Sequence, residues 1–236
     1  MNERLAYLLG YFYADGSLHK TTVRRKRTKD IKTYYSVSIE ILSEDSYAIR
    51  NCLDLLKIVY TEKSRFRKNS SKEQTCFYIL NKNTNIDLFI EICKNKENTS
   101  EAISKIPEAY RSYFLRGFFD GDGCINISKS SSGSRLYFYG SYNQEWLSLF
   151  QILKDLNIKY AYQKIERKNG KHKSSHIVIS NKHGINIFFE YIYPNRLYDF
   201  GLLRKFDKLN STNTRIDREH IKVYEIQQAQ EIKIYT

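Results

Sequence analysis

The chain has 236 residues but only two prolines, four cysteines and no long apolar run. The missing run excludes a helix that spans a bilayer, which needs about 20 apolar residues. The cysteines (Cys52, Cys76, Cys93 and Cys124) form no Cys-x-x-Cys pair. A structural zinc site is therefore not expected, and they read as reduced thiols of an intracellular protein. His19, His172, His176, His183 and His220 show neither metal-ligand nor triad spacing and read as surface or phosphate-contacting groups. No His lies near Cys124 in sequence, so a thiol nucleophile is not the reading for that residue. Asn2-Glu3-Arg4 leads straight into an apolar segment, which is not the pattern of a secretory signal. Acid is also short: 26 acidic residues face 39 basic ones, for a net charge of +13 and a pI near 9.4. An acidic polymer is the partner that this balance favours. What is plentiful is tyrosine, at 20, and 41% of the chain is hydrophobic, enough for a core in one large domain or two fused small ones.

The organising stretch runs from Arg111 to Ile125, apolar and aromatic at first and ending in two acids among glycines. It has an echo near the start of the chain. Leu8-Leu9-Gly10-Tyr11-Phe12-Tyr13-Ala14-Asp15-Gly16 aligns with Leu115-Arg116-Gly117-Phe118-Phe119-Asp120-Gly121-Asp122-Gly123. Matched segments half a chain apart signal internal duplication. Each reads as a buried helix stopped by Gly. Gly10 and Ala14 are four apart, as are Gly117 and Gly121, and small residues at that spacing line a helix face where two backbones can approach closely. If the helices pack on each other, Asp15 and Asp122 meet at their C-terminal ends. A carboxylate there opposes the helix dipole, and two adjacent ones repel. A divalent cation with oxygen ligands removes both objections.

These segments resemble the paired motifs of LAGLIDADG homing endonucleases, in the single-chain form with two copies. The resemblance implies that the motif helices form the interface between two pseudo-symmetric halves. It also implies that the last acid of each motif, Asp15 and Asp122, binds the metal ions of catalysis. It suggests that the carbonyls of Ala14 and Gly121 complete the metal shell. Leu9 and Arg116 stand where a small residue is common, and Tyr13 replaces the earlier acid of the motif, which is not the metal ligand. Asp120 reads as a helix-end or supporting residue. The family often supplies a Lys past a Tyr-Pro; Tyr193-Pro194 followed by Leu203-Arg204-Lys205 makes Lys205 the candidate, and Ser43 and Asn143 fit its polar positions after the second strand of each half.

The rest of the chain orders itself around the motifs. In each half, period-two and helical stretches alternate as helix, two strands, helix, two strands, helix. The expected fold is therefore α+β, with two pseudo-symmetric αββαββα repeats; the resemblance implies two antiparallel sheets forming a DNA-binding saddle. The repeats are read as residues 1–94 and 105–209, joined by a polar linker over 95–104. Pro107 suits the first turn of the following helix, and a last helix is expected over Tyr198–Leu209. Residues 210–236 fit neither repeat and are left open between a helix, a strand and disorder.

The strands are basic and interleaved with Tyr, Ser, Thr and Asn. Two-stranded ribbons fit the DNA major groove, where Lys and Arg neutralise phosphates and polar side chains read base edges. In the first half the candidate contacts are Lys20, Arg24, Arg25, Arg27, Ser36, Ser38, Glu40, Arg65 and Arg67. In the second they are Lys129, Arg135, Tyr137, Tyr139, Lys164, Arg167 and Lys173. The expectation is a monomeric double-strand DNA endonuclease using Mg²⁺ or Mn²⁺, with Ca²⁺ bound but not supporting cleavage. RNA-binding maturase action and silent DNA binding on the same fold are the rival readings. An intein is not expected, since the sequence shows no nucleophilic residue at its start and no His-Asn at its end.

Overall fold

Glu3–Asp15 forms helix α1 and Arg111–Asp122 forms α5, and these two helices are the centre of the molecule. The computed structural model describes residues 1–24, 31–66, 71–80, 85–127, 133–166 and 173–211. Asn2 starts α1, its side-chain oxygen accepting from the Leu5 amide at 2.9 Å. From Leu5 to Ala14 every residue of α1 is buried, so this helix has no solvent face along most of its length. Such a helix is stable only inside a larger assembly, and α5 supplies the nearest wall.

What sets the distance between them is glycine. A Cβ on Gly10 would stand 1.9 Å from the Phe114 carbonyl oxygen, and one on Gly117 would stand 2.0 Å from that of Tyr7. The contacts are reciprocal: each glycine sits against the same turn of the opposite helix. Nearer the C-terminal ends, a Cβ on Gly121 would lie 2.3 Å from that of Ala14, so one methyl fits between the helices there and two do not.

Each motif helix leads into a four-stranded antiparallel sheet. In the first half these are β1 (Ser17–Arg24), β2 (Ile31–Leu42), β3 (Tyr60–Phe66) and β4 (Glu73–Ile79), ordered β1-β2-β4-β3. In the second they are β5 (Gly123–Asn126), β6 (Arg135–Gly140), β7 (Ala161–Glu166) and β8 (Lys173–Ile179), ordered β5-β6-β8-β7. Val37, Ile39, Phe77 and Ile79 of one sheet, and Leu136, Phe138, Ile177 and Ile179 of the other, turn inward to the helices. The remaining helices are α2 (Ser46–Leu55), α3 (Ile86–Lys94), α4 (Thr99–Ser104), α6 (Leu147–Asp155), α7 (Lys182–Ile192) and α8 (Leu203–Ser211). Aromatic rings tie the layers together, as where Phe119 meets Phe138 at 5.4 Å and Phe188 at 5.8 Å. The duplication reaches into fine detail. α2 and α6 both end in a left-handed residue, Lys57 (φ 55) and Asn157 (φ 53), so that Ile58 and Ile158 can bond back to Leu53 and Leu153.

The α+β class and the two αββαββα repeats are present as expected. Two local expectations change. The stretch 95–104 is not a plain polar linker: Asn98 caps α4 by accepting from the Glu101 amide at 2.9 Å, and Thr99, Ala102 and Ile103 are buried. The last helix starts at Leu203 rather than Tyr198, because Gly201 takes φ 102 and the segment before it wraps around buried side chains of α5. Most of the 210–236 tail lies outside the described residues.

Ala at position 10 or 117 raises helix propensity yet cannot fit the backbone contact. Gly10→Ala and Gly117→Ala are each expected to lower unfolding free energy by about 2–3 kcal/mol, as overpacking does. Urea denaturation checks this, and a stabilising substitution at either position would contradict the packing account.

Candidate active site

The β1 and β5 strands begin within two residues of the motif acids, so Asp15 and Asp122 lie where the helix pair meets the two sheets. A Cβ built on Gly121 would be 3.2 Å from Asp15 Oδ2, which places the first carboxylate directly over the last turn of α5. Asp15 is exposed, while Asp122 is half-buried. Burial, and then the charge of Asp15, push the Asp122 carboxyl up to about 6, with Lys96 and Lys205 pulling the other way.

Those two lysines are the counterweight. Lys205 is buried, and its ammonium donates to the carbonyls of Phe119 and Asp120, both at 2.6 Å, and of Gly123 at 2.7 Å. All three of its protons are thus used at the C-terminal end of α5, where a cation suits the helix dipole. Burial brings its pKa down to about 8, against the opposing pull of Asp120. Lys96 does the same at α1, donating to the carbonyl of Ala14 and, at 2.9 Å, to that of Gly16. Burial lowers its pKa as well, with Cys93, Asp122 and Asp15 opposing. Sequence reasoning found Lys205 and missed Lys96, which sits in a segment taken for a linker. Symmetry was the signal: a lysine beyond α7 in one repeat asks for a counterpart beyond α3, the equivalent helix of the other. The Ala14 carbonyl, expected from the resemblance as a metal ligand, is bonded to Lys96.

One position before Gly121 and Ala14, Asp120 and Tyr13 tether the motif helices outward. Asp120 is buried and accepts from the Tyr7 hydroxyl and the Leu202 amide, both at 2.9 Å, which ties α5 to the start of α8 and so to Lys205. Burial raises its pKa. Tyr13 shares a hydrogen bond of 3.0 Å with Thr99, at the start of α4 beside Lys96, and accepts from Gln144 at 2.6 Å. Arg116 lies fully buried between the rings of Tyr193 (4.0 Å) and Phe200 (4.1 Å) and pairs with Asp199 at 2.7 Å. A large cation therefore occupies a motif position where the family resemblance implies a small residue, and the loop before α8 has built a slot for it. Ser43 bonds to Thr75 at 2.9 Å, and Asn143 is exposed in the turn after β6.

The sheet faces turned away from the helices flank the acids. On the first, Ser36, Ser38, Glu40 and Arg65 share this open face with His19 and Lys63. Arg65 donates to Glu40 at 3.0 Å, and Ser38 is 2.8 Å from the His19 ring. On the second sheet Arg135, Tyr137 and Tyr139 share the open face with Gln163 and His176. Three expected DNA contacts fall elsewhere. Lys20 pairs with Tyr35 on the helix-side face of its sheet. Lys164 and Lys173 also lie on the helix side, their ammoniums 4.6 Å and 5.5 Å from the Tyr142 ring, with Lys173 bonded to Glu166 at 2.6 Å. The reason is the period of two: a run of basic residues on a strand divides between its faces, and alternation with Arg65 would have found Lys63 instead. Arg24 ends β1 with its side chain undescribed, and Arg25, Arg27, Arg67, Lys129 and Arg167 lie outside the described residues.

A metal fits this geometry on chemical grounds. Two carboxylates approach each other in a partly dry site, and one is raised by the other. Hard oxygen donors of this kind suit Mg²⁺, Mn²⁺ or Ca²⁺.

Residues 109–193, from the start of α5 to the end of α7, match the family described as LAGLIDADG-like domain. No curated protein matches the chain by sequence. Solved structures match nearly its whole length. I-SmaMI, bound to an uncleaved DNA target in the presence of calcium ions, is 12% identical over 98% of this chain and 93% of its own, with a TM-score of 0.54. The I-LtrWI LAGLIDADG homing endonuclease, bound to target DNA, is 15% identical over 95% and 96%, also at 0.54. I-DmoI, in complex with DNA and Mn, is 18% identical over 81% and 97%, at 0.52. The second repeat matches the LAGLIDADG-like domain family, the first is its geometric twin, and the chain has the fold of the single-chain, two-motif LAGLIDADG homing endonucleases.

Proposed function

We propose that this protein is a metal-dependent endonuclease that hydrolyses one phosphodiester on each strand of a duplex DNA target. The observation that carries the reading is the pair of opposed carboxylates, Asp15 and Asp122, each on a motif helix whose C-terminal carbonyls are held by a lysine, half-buried Lys96 on α1 and buried Lys205 on α5. A protein that only bound DNA would gain nothing from placing two repelling acids there. The solved structures of the same fold are bound to DNA, one with calcium and one with manganese.

Asp15 and Asp122 would hold Mg²⁺ or Mn²⁺. When bound, the cation would supply Lewis-acid polarisation of the phosphate and a lowered pKa for water. The chain's own part is placement. The close helix crossing fixes the two acids relative to each other, and Asp120 and Tyr13 fix the helices relative to α8 and α4. Lys96 and Lys205 offset the carbonyl ends of the helices, which would otherwise add to the negative field that an incoming phosphodiester must enter. The open sheet faces would lie along the major groove on either side of the cut, with the net charge of +13 drawing the duplex in. The protein is proposed to act as a monomer, because both halves of the site are in one chain.

Incubation with a randomised duplex pool in Mg²⁺ should yield cleavage of a defined sequence. Asp15→Asn or Asp122→Asn should slow it by at least about a thousandfold while binding changes by only a few-fold. Sequence-selective binding without any cutting would remove the nuclease reading. Lys205→Met and Lys96→Met should each cost about 10²–10³ in cleavage rate at unchanged DNA affinity, measured in single-turnover reactions. A third expectation needs no DNA. In metal-free buffer near neutral pH, Asp122→Asn should melt a few degrees above wild type, because it removes the repulsion between the acids. Millimolar Mg²⁺ should close that gap by stabilising wild type alone.

A further inference from the structure

The duplication allows the two open sheet faces to be compared position by position. Ser17 and Cys124 each lie two residues past a motif acid, and strand register carries the equivalence across both sheets. Along the row that they start, Ser38, Tyr78 and Thr61 in the first sheet correspond to Tyr137, Val178 and Ala161 in the second. Further out, Glu40, Lys63 and Arg65 correspond to Tyr139, Gln163 and Ile165. At six equivalent positions the first sheet therefore offers three ionised groups, two hydroxyls and a phenol. The second offers no ionised group at these six positions; the one cation on its described open face, Arg135, lies further along β6 opposite Asn126, where the first sheet has Ser36.

The apolar patch at the centre of the second face is built. Tyr137 and Tyr139 stack in parallel with centroids 5.6 Å apart and planes 8° apart, and the His176 ring meets both edge-on at 5.8 Å and 5.7 Å. Gln163 holds His176 at 3.0 Å, so two of the polar groups here engage each other. Burial also keeps the imidazole pKa low. Tyr139 and Ile165 are each 39% exposed, apolar surface left open in the middle of a recognition face. On the first sheet the corresponding Glu40 and Arg65 form an ion pair.

In the major groove only one base edge is apolar, the 5-methyl of thymine. We infer that the second sheet reads its half of the target through thymine methyls packed against Tyr137, Tyr139 and Ile165, whereas the first sheet reads its half by hydrogen bonds and charge. This rests on the endonuclease reading above and adds to it a division of labour between the half-sites. The apolar half gains affinity from the thymine methyl itself, and each buried methyl is worth about fourfold in affinity.

The test starts from the sequence that wild type cuts from a randomised duplex pool in Mg²⁺. That site is then remade with deoxyuridine for thymidine in one half at a time, which removes only the methyls. Binding is read with the Asp15→Asn protein, so that turnover does not enter. The expected result is a thymine-containing half whose deoxyuridine version binds about fourfold more weakly per methyl removed, with less than a twofold change for the other half. Ile165→Ser and Tyr139→Ser should abolish that sensitivity, which assigns the methyl-reading half to the second sheet, whereas Lys63→Ser should leave it intact. A defined site that binds equally well with deoxyuridine in either half overturns this inference and leaves the nuclease reading standing, as does methyl sensitivity that persists in Ile165→Ser and Tyr139→Ser. A pool from which nothing is bound or cut overturns both.

Discussion

Everything in this molecule hangs on how closely two helices can approach. Tyr7 and Phe114 present their backbone carbonyls to the space where Gly117 and Gly10 have no side chain, and this brings α1 and α5 into backbone contact. At ordinary helix packing distances of 8–10 Å the carboxylates at the ends would be too far apart to share a charged ligand. The glycines thus act on chemistry at one remove. They carry no functional group, yet they set the separation on which the acid pair depends. The sheets follow from the same crossing, since β1 and β5 begin within two residues of those acids.

Bringing two acids together at helix C-termini is electrostatically costly, and the chain offsets it with one buried lysine and one half-buried lysine. Lys205 has all three protons on carbonyls and Lys96 has bonds to two. Each ammonium then needs its own support. Asp120 faces Lys205 from one side and gathers the Tyr7 hydroxyl and the Leu202 amide from others. The first half reaches the same end with a neutral group, Tyr13 bonded to Thr99 and Gln144. Equivalent positions have thus arrived at different chemistry for one mechanical task, that of tying the motif helix to the segment that carries the lysine.

Much of this was legible before any coordinates. The repeated Leu-Gly-aromatic-aromatic pattern located both central helices and both acids, because small residues at a fixed helical spacing have few other uses. Period-two stretches between helical ones gave the order of strands and helices in each half. What the sequence hid was set by long-range contact. Lys96 looked like one charge among many in a polar stretch, and only the path of the chain brings it within bonding distance of Gly16, 80 residues earlier. Lys164 and Lys173 looked like groove residues because composition does not record which way a side chain points; pairing register does. Arg116 looked like a departure from pattern, and its slot between Tyr193 and Phe200 exists only once a loop more than 80 residues downstream has folded over it.

The meeting of Ala14 with Gly121 has a consequence for the ancestry of the fold. A symmetric pair of identical subunits must place the same residue on both sides of its axis. Two copies of the first repeat would bring two methyl groups to about the 2.3 Å separation that the Gly121 position forbids. Two copies of the second would leave that point of the interface empty, like a bolt hole with no bolt. At this point each half fits the other better than it would fit a copy of itself. The interface calls for two different halves, and a single chain supplies them in a fixed ratio.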